Sequence, residues 1–200
     1  MGKVKMSLCL VCLLWLGCSS KPSLSPEEQR AWNTFIDKQL SLGMVQPTSQ
    51  DASAVATLGN KIVPQVVEHL GKAYRGPGGK GDYWLVIVLA RIGTPQAIDG
   101  IIKVLKHDYP GKVSLDREIA AKALVWLGAT RGIPDLEAAI ADTEKQAQAK
   151  LDEEKAQGKP QKMLEFHAFD YRRWSKPLKD AVEQLKQGKG KRDVRNFPFE

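Results

Sequence analysis

The chain has 200 residues, of which 42% are apolar and 26% charged, and its formal net charge is +7. This length and balance are enough for one globular domain or a short repeat array, and they exclude a chain that is disordered throughout. The positive charge is mild and mixed with acidic residues until the C-terminal end. It therefore argues against the dense basic stripe of a nucleic-acid-binding protein.

The first 17 residues have the three-part pattern of a secretory signal peptide. A basic start at Lys3 and Lys5 precedes an apolar run that ends at Leu16. That run of about a dozen residues is shorter than the roughly 20 needed to cross a membrane, which disfavours an uncleaved anchor. We predict that residues 1–17 are removed, and the loss of the two lysines lowers the net charge from +7 to +5.

The junction after the apolar run resembles the lipobox of bacterial lipoproteins. It reads Leu14-Trp15-Leu16-Gly17-Cys18, with a small residue before the cysteine. The family usually has Leu three residues before the cysteine, where this chain has Trp15. The resemblance implies a diacylglycerol on the Cys18 sulfur, cleavage before Cys18 and acylation of the new amine.

The distribution of cysteines supports lipidation independently. The chain has three cysteines, and Cys9 and Cys12 lie in the segment predicted to be removed. The one that remains in an exported chain, Cys18, has no partner for an internal disulfide. Lipidation explains it. In the alternative interpretation, Cys18 is incidental to an ordinary secreted protein.

Residues 18–25 are predicted to be a lipidated tether. The part from Ser19 to Ser25 spans at most roughly 25 Å, so the folded body stays near its membrane. We expect a lipid-anchored protein of the cell membrane or outer membrane, facing the periplasm or exterior. In a two-membrane bacterium, Ser19 after the lipidated cysteine would by resemblance favour the outer membrane.

Residues 26–142 are predicted to form an N-terminal helix followed by helical repeats. The first helix has Ser25 as its N-cap, Pro26 at its first position and Glu28 to complete a capping box, and we expect it to end near Leu42. Three apolar quartets with the spacing i, i+3, i+4, i+7 follow, and their first members are 35 residues apart. The quartets are Val63, Val66, Val67, Leu70; Ile98, Ile101, Ile102, Leu105; and Ile133, Leu136, Glu137, Ile140, where Glu137 breaks the pattern.

Matching helices precede the second and third quartets, each ending at a glycine, Gly93 or Gly128. Hairpins of this kind bury both their faces only by stacking into a solenoid. The stretches VLARIGTPQAIDGIIKVL and KALVWLGATRGIPDLEAAI resemble bacterial HEAT-like repeats, of the kind found in phycobilin lyases and scaffold proteins. The predicted fold is all-α: a short α-solenoid of HEAT-like helical hairpins, with about three repeats plus terminal helices. The alternative is a nonrepeating bundle with accidental spacing.

Three further segments complete the predicted organisation. Residues 143–162 are a polar helical insert or linker, and the acidic run from Asp152 to Glu154 is typical of solvated surface. Residues 163–187 are a degenerate C-terminal helical hairpin. Residues 188–200 are a mobile basic tail, suited to contact anionic lipid head groups.

No local motif indicates a metal site, a cofactor site or a catalytic centre. His69, His107 and His167 are too far apart for a metal motif such as HExxH. There is no GxSxG elbow, and no cysteine nucleophile survives lipidation. We therefore expect no enzyme activity, no cofactor and no metal.

The glycine-rich stretch from Gly76 to Gly81 differs from a phosphate-binding loop. Such a loop needs Ser or Thr after its lysine, whereas Lys80 is followed by Gly81. We interpret the stretch as a connection between repeats, with Asp82 capping the next helix.

The candidate partner-binding residues are Arg172, Arg173 and Trp174. They close the densest aromatic and basic stretch of the chain, and such side chains are favoured at binding hot spots. Alternatively, the aromatic residues of this stretch plug the open end of the solenoid.

The predicted function is that of a non-enzymatic, membrane-anchored envelope lipoprotein. It would act as a protein-interaction scaffold or an assembly or stabilising factor for an unidentified envelope protein. One alternative is a small-ligand-binding or lyase-like HEAT-repeat enzyme outside the cytoplasm, with Trp84, His69 and Lys80 as pocket residues. Another is a spacer without a specific partner.

Overall fold

The described part of the fold is built from α-helices. The computed structural model describes residues 24–41, 45–72, 81–106, 115–190 and 197. Within these ranges the helices are α1 (Pro26–Leu40), α2 (Ser49–Ala56), α3 (Val63–His69), α4 (Tyr83–Ile92), α5 (Pro95–Lys106), α6 (Leu115–Leu127), α7 (Ile133–Ala156), α8 (Gln161–Arg172) and α9 (Lys176–Lys186).

The helices follow one another as three helix–turn–helix units, α2–α3, α4–α5 and α6–α7, which we call hairpins. In one row α4 packs between α2 and α6, in the other α5 packs between α3 and α7, and α5 also packs against both α4 and α6. Two parallel rows of this kind define a short α-solenoid, as predicted from the repeated quartets.

The turns between paired helices use the same backbone conformation in all three hairpins. Gly59, Gly93 and Gly128 adopt φ values of 60°, 64° and 61°, in the left-handed region. Side chains strongly disfavour this conformation, so glycine at this point of each unit ends the first helix and reverses the chain. The second helix then begins near a proline, which suits a first helical turn.

The predicted quartets form the core of the second row. Val66, Ile101 and Leu136 are each fully buried. Glu137, which breaks the third quartet, is exposed, and its carboxylate pairs with Lys186 at 2.8 Å. The residue that breaks the pattern therefore forms an ion pair on the surface, and the core stays apolar.

Helix α1 covers the N-terminal end of the solenoid by packing on α2. Its predicted capping box is present: Glu28 N–H donates to Ser25 Oγ at 3.2 Å, and Ser25 N–H donates to Glu28 Oε2 at 2.7 Å. Trp32 and Phe35 are buried on its inner face, and Leu24, just before the helix, also packs against the core.

Two buried arginines fasten neighbouring helices together. The Arg91 guanidinium of α4 donates to Ser49 O at 2.6 Å, Ser53 Oγ at 2.6 Å and Ser49 Oγ at 2.8 Å, all in α2. Arg117 of α6 pairs with Asp142 of α7 at 2.8 Å. Burial lowers the pKa of Arg91, because it disfavours the charged form.

Asp82 lies at the predicted N-cap of α4, but the capping hydrogen bond expected from its side chain is not formed. Its carboxylate instead accepts the N–H of Gly71, at 2.9 and 3.0 Å to its two oxygens. Its own N–H donates to Asp116 Oδ1 of α6 at 2.7 Å. Asp82 therefore links successive hairpins, because tertiary contacts offer its carboxylate a partner outside its own helix.

The C-terminal helices close the other end of the solenoid. α7 continues through most of the predicted polar insert, to Ala156, and α8 packs back along it. α9 lies against both α6 and α7 and so covers the last hairpin. Phe197, within the segment predicted to be a mobile tail, is buried.

Among the described residues, no helix has both the length and the apolar content required to span a bilayer. The predicted signal peptide, residues 1–17, and the lipidation site Cys18 lie outside the described residues.

Candidate functional site

A groove lies between α6 and α9 on the described surface. It has a volume of about 990 Å³. Its apolar lining comes from both helices, from the start of α4 and from the C-terminal segment, and it includes Tyr83, Ile119, Trp126, Pro177, Ala181 and Phe197. Since α9 is where the stack of hairpins ends, the groove exists only because this last helix crosses both rows.

The rim of the groove is charged and predominantly basic. Four basic and two acidic side chains line it, namely Lys122, Arg173, Lys176, Lys189, Glu118 and Asp180. Two ion pairs lie within single helices, Lys122 with Glu118 at 2.8 Å and Lys176 with Asp180 at 2.6 Å. Arg173 and Lys189 give the groove an excess of positive charge.

The three predicted partner-binding residues have different surroundings. Arg173 lines the groove, and its guanidinium carbon lies 5.9 Å from the centre of the Phe169 ring. Trp174 is half-buried, with its ring centre 4.5 Å from that of Tyr171. The Arg172 side chain lies outside the described part of the chain. Of the three, the described geometry places Arg173 alone at the groove.

The alternative in which the aromatic residues plug the end of the solenoid is wrong for two of them. Phe166 and Phe169 are 69% and 63% exposed. They lie on the outer face of α8, because the opposite face of this helix, which includes Leu164, packs against α7.

A second polar site joins α7 to α8 around the buried carboxylate of Glu154. Lys159 Nζ donates to it at 2.7 Å, Tyr171 OH at 2.9 Å, and His167 Nδ1 lies 2.8 Å from it. The hydrogen bond from Lys159, followed by those from His167 and Tyr171, lowers the pKa of Glu154 to about 2 against the opposing effect of burial. An ionised carboxylate only accepts hydrogen bonds, so His167 Nδ1 is the donor.

The pKa of Tyr171 is raised to about 12, first by desolvation of the phenol and then by its hydrogen bond to the Glu154 carboxylate. Carboxylate and histidine pairs orient imidazoles in some catalytic sites. Here the carboxylate is shared among three donors that hold two helices together. We therefore assign the cluster to the attachment of α8.

The expectation that Glu154 is solvated surface is wrong, although its neighbours Asp152 and Glu153 are exposed. The sequence did carry a weak indication that Glu154 is buried. Thr143, Ala147 and Glu154 all lie on one face of α7 and are all buried. Their spacing continues the helical stripe of the third quartet with small and polar residues in place of large apolar ones.

Of the residues predicted for the ligand-binding alternative, the two that the structure describes, His69 and Trp84, do not line the groove. His69 packs edge-on against Trp32, with ring centres 5.3 Å apart, and its Nδ1 lies 2.8 Å from Gln65 O. Trp84 is half-buried beside Tyr83. Lys80, like His107, lies outside the described residues. Within the described part of the chain, no three His, Cys, Asp or Glu side chains are grouped for a metal ion.

Comparison with known proteins supports the repeat assignment. Residues 83–107 and 116–142 match the family model of the PBS lyase HEAT-like repeat. These ranges correspond to the hairpin α4–α5 and to α6 with the first part of α7. No curated protein and no solved structure matches the chain.

Proposed function

We propose that this protein is an exported lipoprotein, anchored to a bacterial membrane through lipid on Cys18, whose HEAT-like solenoid binds a protein partner. Its role is that of a non-enzymatic scaffold or of an assembly or stabilising factor in the cell envelope. The groove between α6 and α9 is the proposed binding surface, and it is the observation on which the proposal depends.

The chemistry of the groove favours a protein partner. Its lining combines aromatic side chains, among them Tyr83 and Trp126, with a rim that includes Arg173. Tryptophan, tyrosine and arginine are the residues most enriched at interface hot spots, and a polar rim around an apolar centre is typical of protein interfaces.

The proposed anchor would keep the N-terminal end of the solenoid close to the membrane. Because Leu24 already packs against the core, the free tether after Cys18 is shorter than the sequence implied. The five residues from Ser19 to Ser23 span at most roughly 17 Å when extended. A partner would therefore be another membrane-associated or envelope protein.

Site-specific photocrosslinking in intact cells tests the binding surface. A photoreactive amino acid replaces Gln184, which lines the groove, or Gln148, which is exposed on α7 away from it. We expect an adduct with one protein from position 184, no adduct from position 148, and loss of the adduct when Trp126 is changed to alanine. Equal labelling from both positions, or none from 184, would contradict the proposal.

The anchor has a separate test in the Cys18→Ser variant. The wild-type protein should incorporate radiolabelled palmitate and fractionate with membranes. The variant should lose the label and keep its signal peptide, which is visible as slower migration in a gel. A labelled Cys18→Ser protein would exclude this residue as the lipidation site.

A second candidate function is the binding of a small ligand, and the size of the same groove favours it. About 990 Å³ is at the upper end of the roughly 300–1,000 Å³ usual for ligand sites. Native mass spectrometry of protein purified from its own membrane separates the two. A bound small molecule that Trp126→Ala removes would support this candidate over the scaffold.

A further inference from the structure

One end of the groove holds an aromatic side chain of the chain itself. Phe197 is 3% exposed, and its ring meets the Trp126 indole edge-on, with ring centres 5.6 Å apart and planes at 80°. This is a preferred geometry for two aromatic rings. Trp126 therefore provides a fitted site for a phenylalanine side chain on the groove wall.

Gly190 brings the C-terminal segment to this end of the groove. Its φ is 128°, which side chains rarely adopt, and a Cβ at this position would lie 2.7 and 2.8 Å from Gly128 Cα and N. It would also collide with the carbonyl oxygen of Val125. Glycine at 190 thus lets the segment after α9 pass directly against the C-terminal end of α6, beside Trp126.

The rest of the groove extends beyond the phenylalanine site. Ile119, Pro177 and Tyr83 continue its apolar lining, and the basic excess from Arg173 and Lys189 lies along its rim. An extended peptide with a phenylalanine at Trp126 and acidic residues along the rim is complementary to this surface in both shape and charge.

We propose that the Trp126 end of the groove is a binding subsite for a phenylalanine side chain on an extended peptide of the partner, and that Phe197 occupies it in the free protein. The partner segment displaces Phe197 and carries acidic residues toward the basic rim. This inference rests on the proposed function for the location of the partner, and it adds the chemistry of the partner segment and the competition with Phe197.

Tethering makes Phe197 a strong competitor. A group joined covalently to the molecule that carries its binding site can have an effective concentration in the millimolar range. A free peptide that offers the same side chain in solution is therefore excluded at micromolar concentration, and it binds when the internal phenylalanine is removed or displaced.

The test uses purified full-length protein in detergent and a fluorescein-labelled peptide of residues 192–200, RDVRNFPFE, followed by anisotropy. Phe197→Ala removes the internal side chain, and Gly190→Ala forces the segment away from α6. Gly158→Ala is the matched control, because Gly158 also has a positive φ, 71°, has open space where a Cβ would be, and does not line the groove. Circular dichroism verifies that each variant is folded.

We expect the peptide to bind Phe197→Ala and Gly190→Ala about tenfold or more tightly than it binds wild type, and to bind Gly158→Ala as it binds wild type. A peptide with alanine in place of its first phenylalanine should not bind. Adding Trp126→Ala to Phe197→Ala should abolish binding. This double variant tests whether Trp126 binds the added peptide when the internal Phe197 side chain is absent.

Three results of the binding assay would overturn the inference: no binding to any variant, equal affinity for wild type and Phe197→Ala, or binding that survives Trp126→Ala. A wild-type dimer that dissociates on Phe197→Ala would assign Phe197 to the groove of a second copy and refute the internal contact. If the peptide fails while the crosslink from Gln184 to a partner persists, the subsite is refuted and the proposed function is not. If the peptide binds as expected and the crosslink from Gln184 is absent, the proposed function is refuted and the subsite is not.

Discussion

Substitution of Gly100 by alanine probes how closely the hairpins are stacked. Gly100 lies in α5 where this helix meets α3 and α4. A Cβ at this position would lie 2.9 Å from Leu89 Cδ1 and 2.9 Å from Val67 Cγ2. Carbon atoms prefer separations of about 3.5–4.0 Å, so both contacts would be too short by roughly 0.6 Å or more.

Two effects of the substitution oppose each other. Alanine in a helix interior is favoured over glycine by about 1 kcal/mol. Overpacking of a well-filled core costs typically about 1–3 kcal/mol. Leu89 is fully buried in the core, so we expect overpacking to exceed the helical gain. The predicted net loss in the free energy of unfolding is about 1 kcal/mol.

Urea unfolding followed by circular dichroism measures this loss. With a slope of about 2 kcal/mol per molar urea, the midpoint should fall by roughly 0.5 M. A double-mutant cycle identifies the cause. In the Val67→Ala background one of the two short contacts is gone, so Gly100→Ala should cost about 0.5 kcal/mol less there than in wild type.

A Gly100→Ala protein with a higher midpoint than wild type would show that the helical preference exceeds the packing cost, and would refute the close approach of the three helices. If the losses in the free energy of unfolding caused by Gly100→Ala and Val67→Ala were strictly additive, that result would also count against the close approach. In that case the cost would have to arise from a contact other than the one between α3 and α5.

Three further predictions concern stability. Arg91→Ala should lower the free energy of unfolding by about 2–3 kcal/mol, since it removes three charged hydrogen bonds between α4 and α2 and empties the site of a buried side chain. Arg131→Ala, at an exposed arginine, should lower it by under about 1 kcal/mol, and equal urea midpoints for the two variants would contradict this. Phe35→Ala should lower the free energy of unfolding by about 3–5 kcal/mol, because it leaves a cavity in the core. Phe166→Ala, at an exposed residue, should lower it by under about 0.5 kcal/mol in the same urea measurement. The pKa of Glu154 is lowered from 4.5 to about 2 on folding, so its stabilising contribution is complete above pH 4.5 and is lost as the pH falls toward 2. Urea midpoints between pH 7 and 3 should therefore decline less in Glu154→Gln than in wild type, and parallel declines would contradict the assignment.

The solenoid was predictable because its determinants recur. A turn glycine such as Gly93 or Gly128 and an apolar quartet repeat at nearly constant spacing, and each unit needs the next to cover its apolar face. Stacking therefore follows from the pattern alone. The boundaries of α1 were also close to prediction, since the capping box of Ser25 and Glu28 acts within one helical turn.

The groove and the polar links were not predictable in the same way. α9 crosses both rows only once the whole array is assembled, and no local pattern encodes that crossing. Asp82 accepts a hydrogen bond from Gly71 in place of capping α4, because folding brings a partner that the local sequence does not contain. Glu154 was assigned to solvent because its charge outweighed the weak stripe of Thr143 and Ala147 on the same helix face. Phe197 gave no sequence signal, since its partner Trp126 is 71 residues away.

The position of α9 also determines where the array can be lengthened. Its outer face is polar, and Lys179 on it pairs with Glu144 of α7 at 2.6 Å. A repeat added after α9 would meet charged side chains in place of an apolar face, and a second copy of the protein meets the same barrier. An inserted repeat should be accepted between α5 and α6, where both new interfaces would be hairpin against hairpin. Terminal helices of this kind set the number of units in the array, and engineered versions of different length must keep α1 and α9 as the outermost elements.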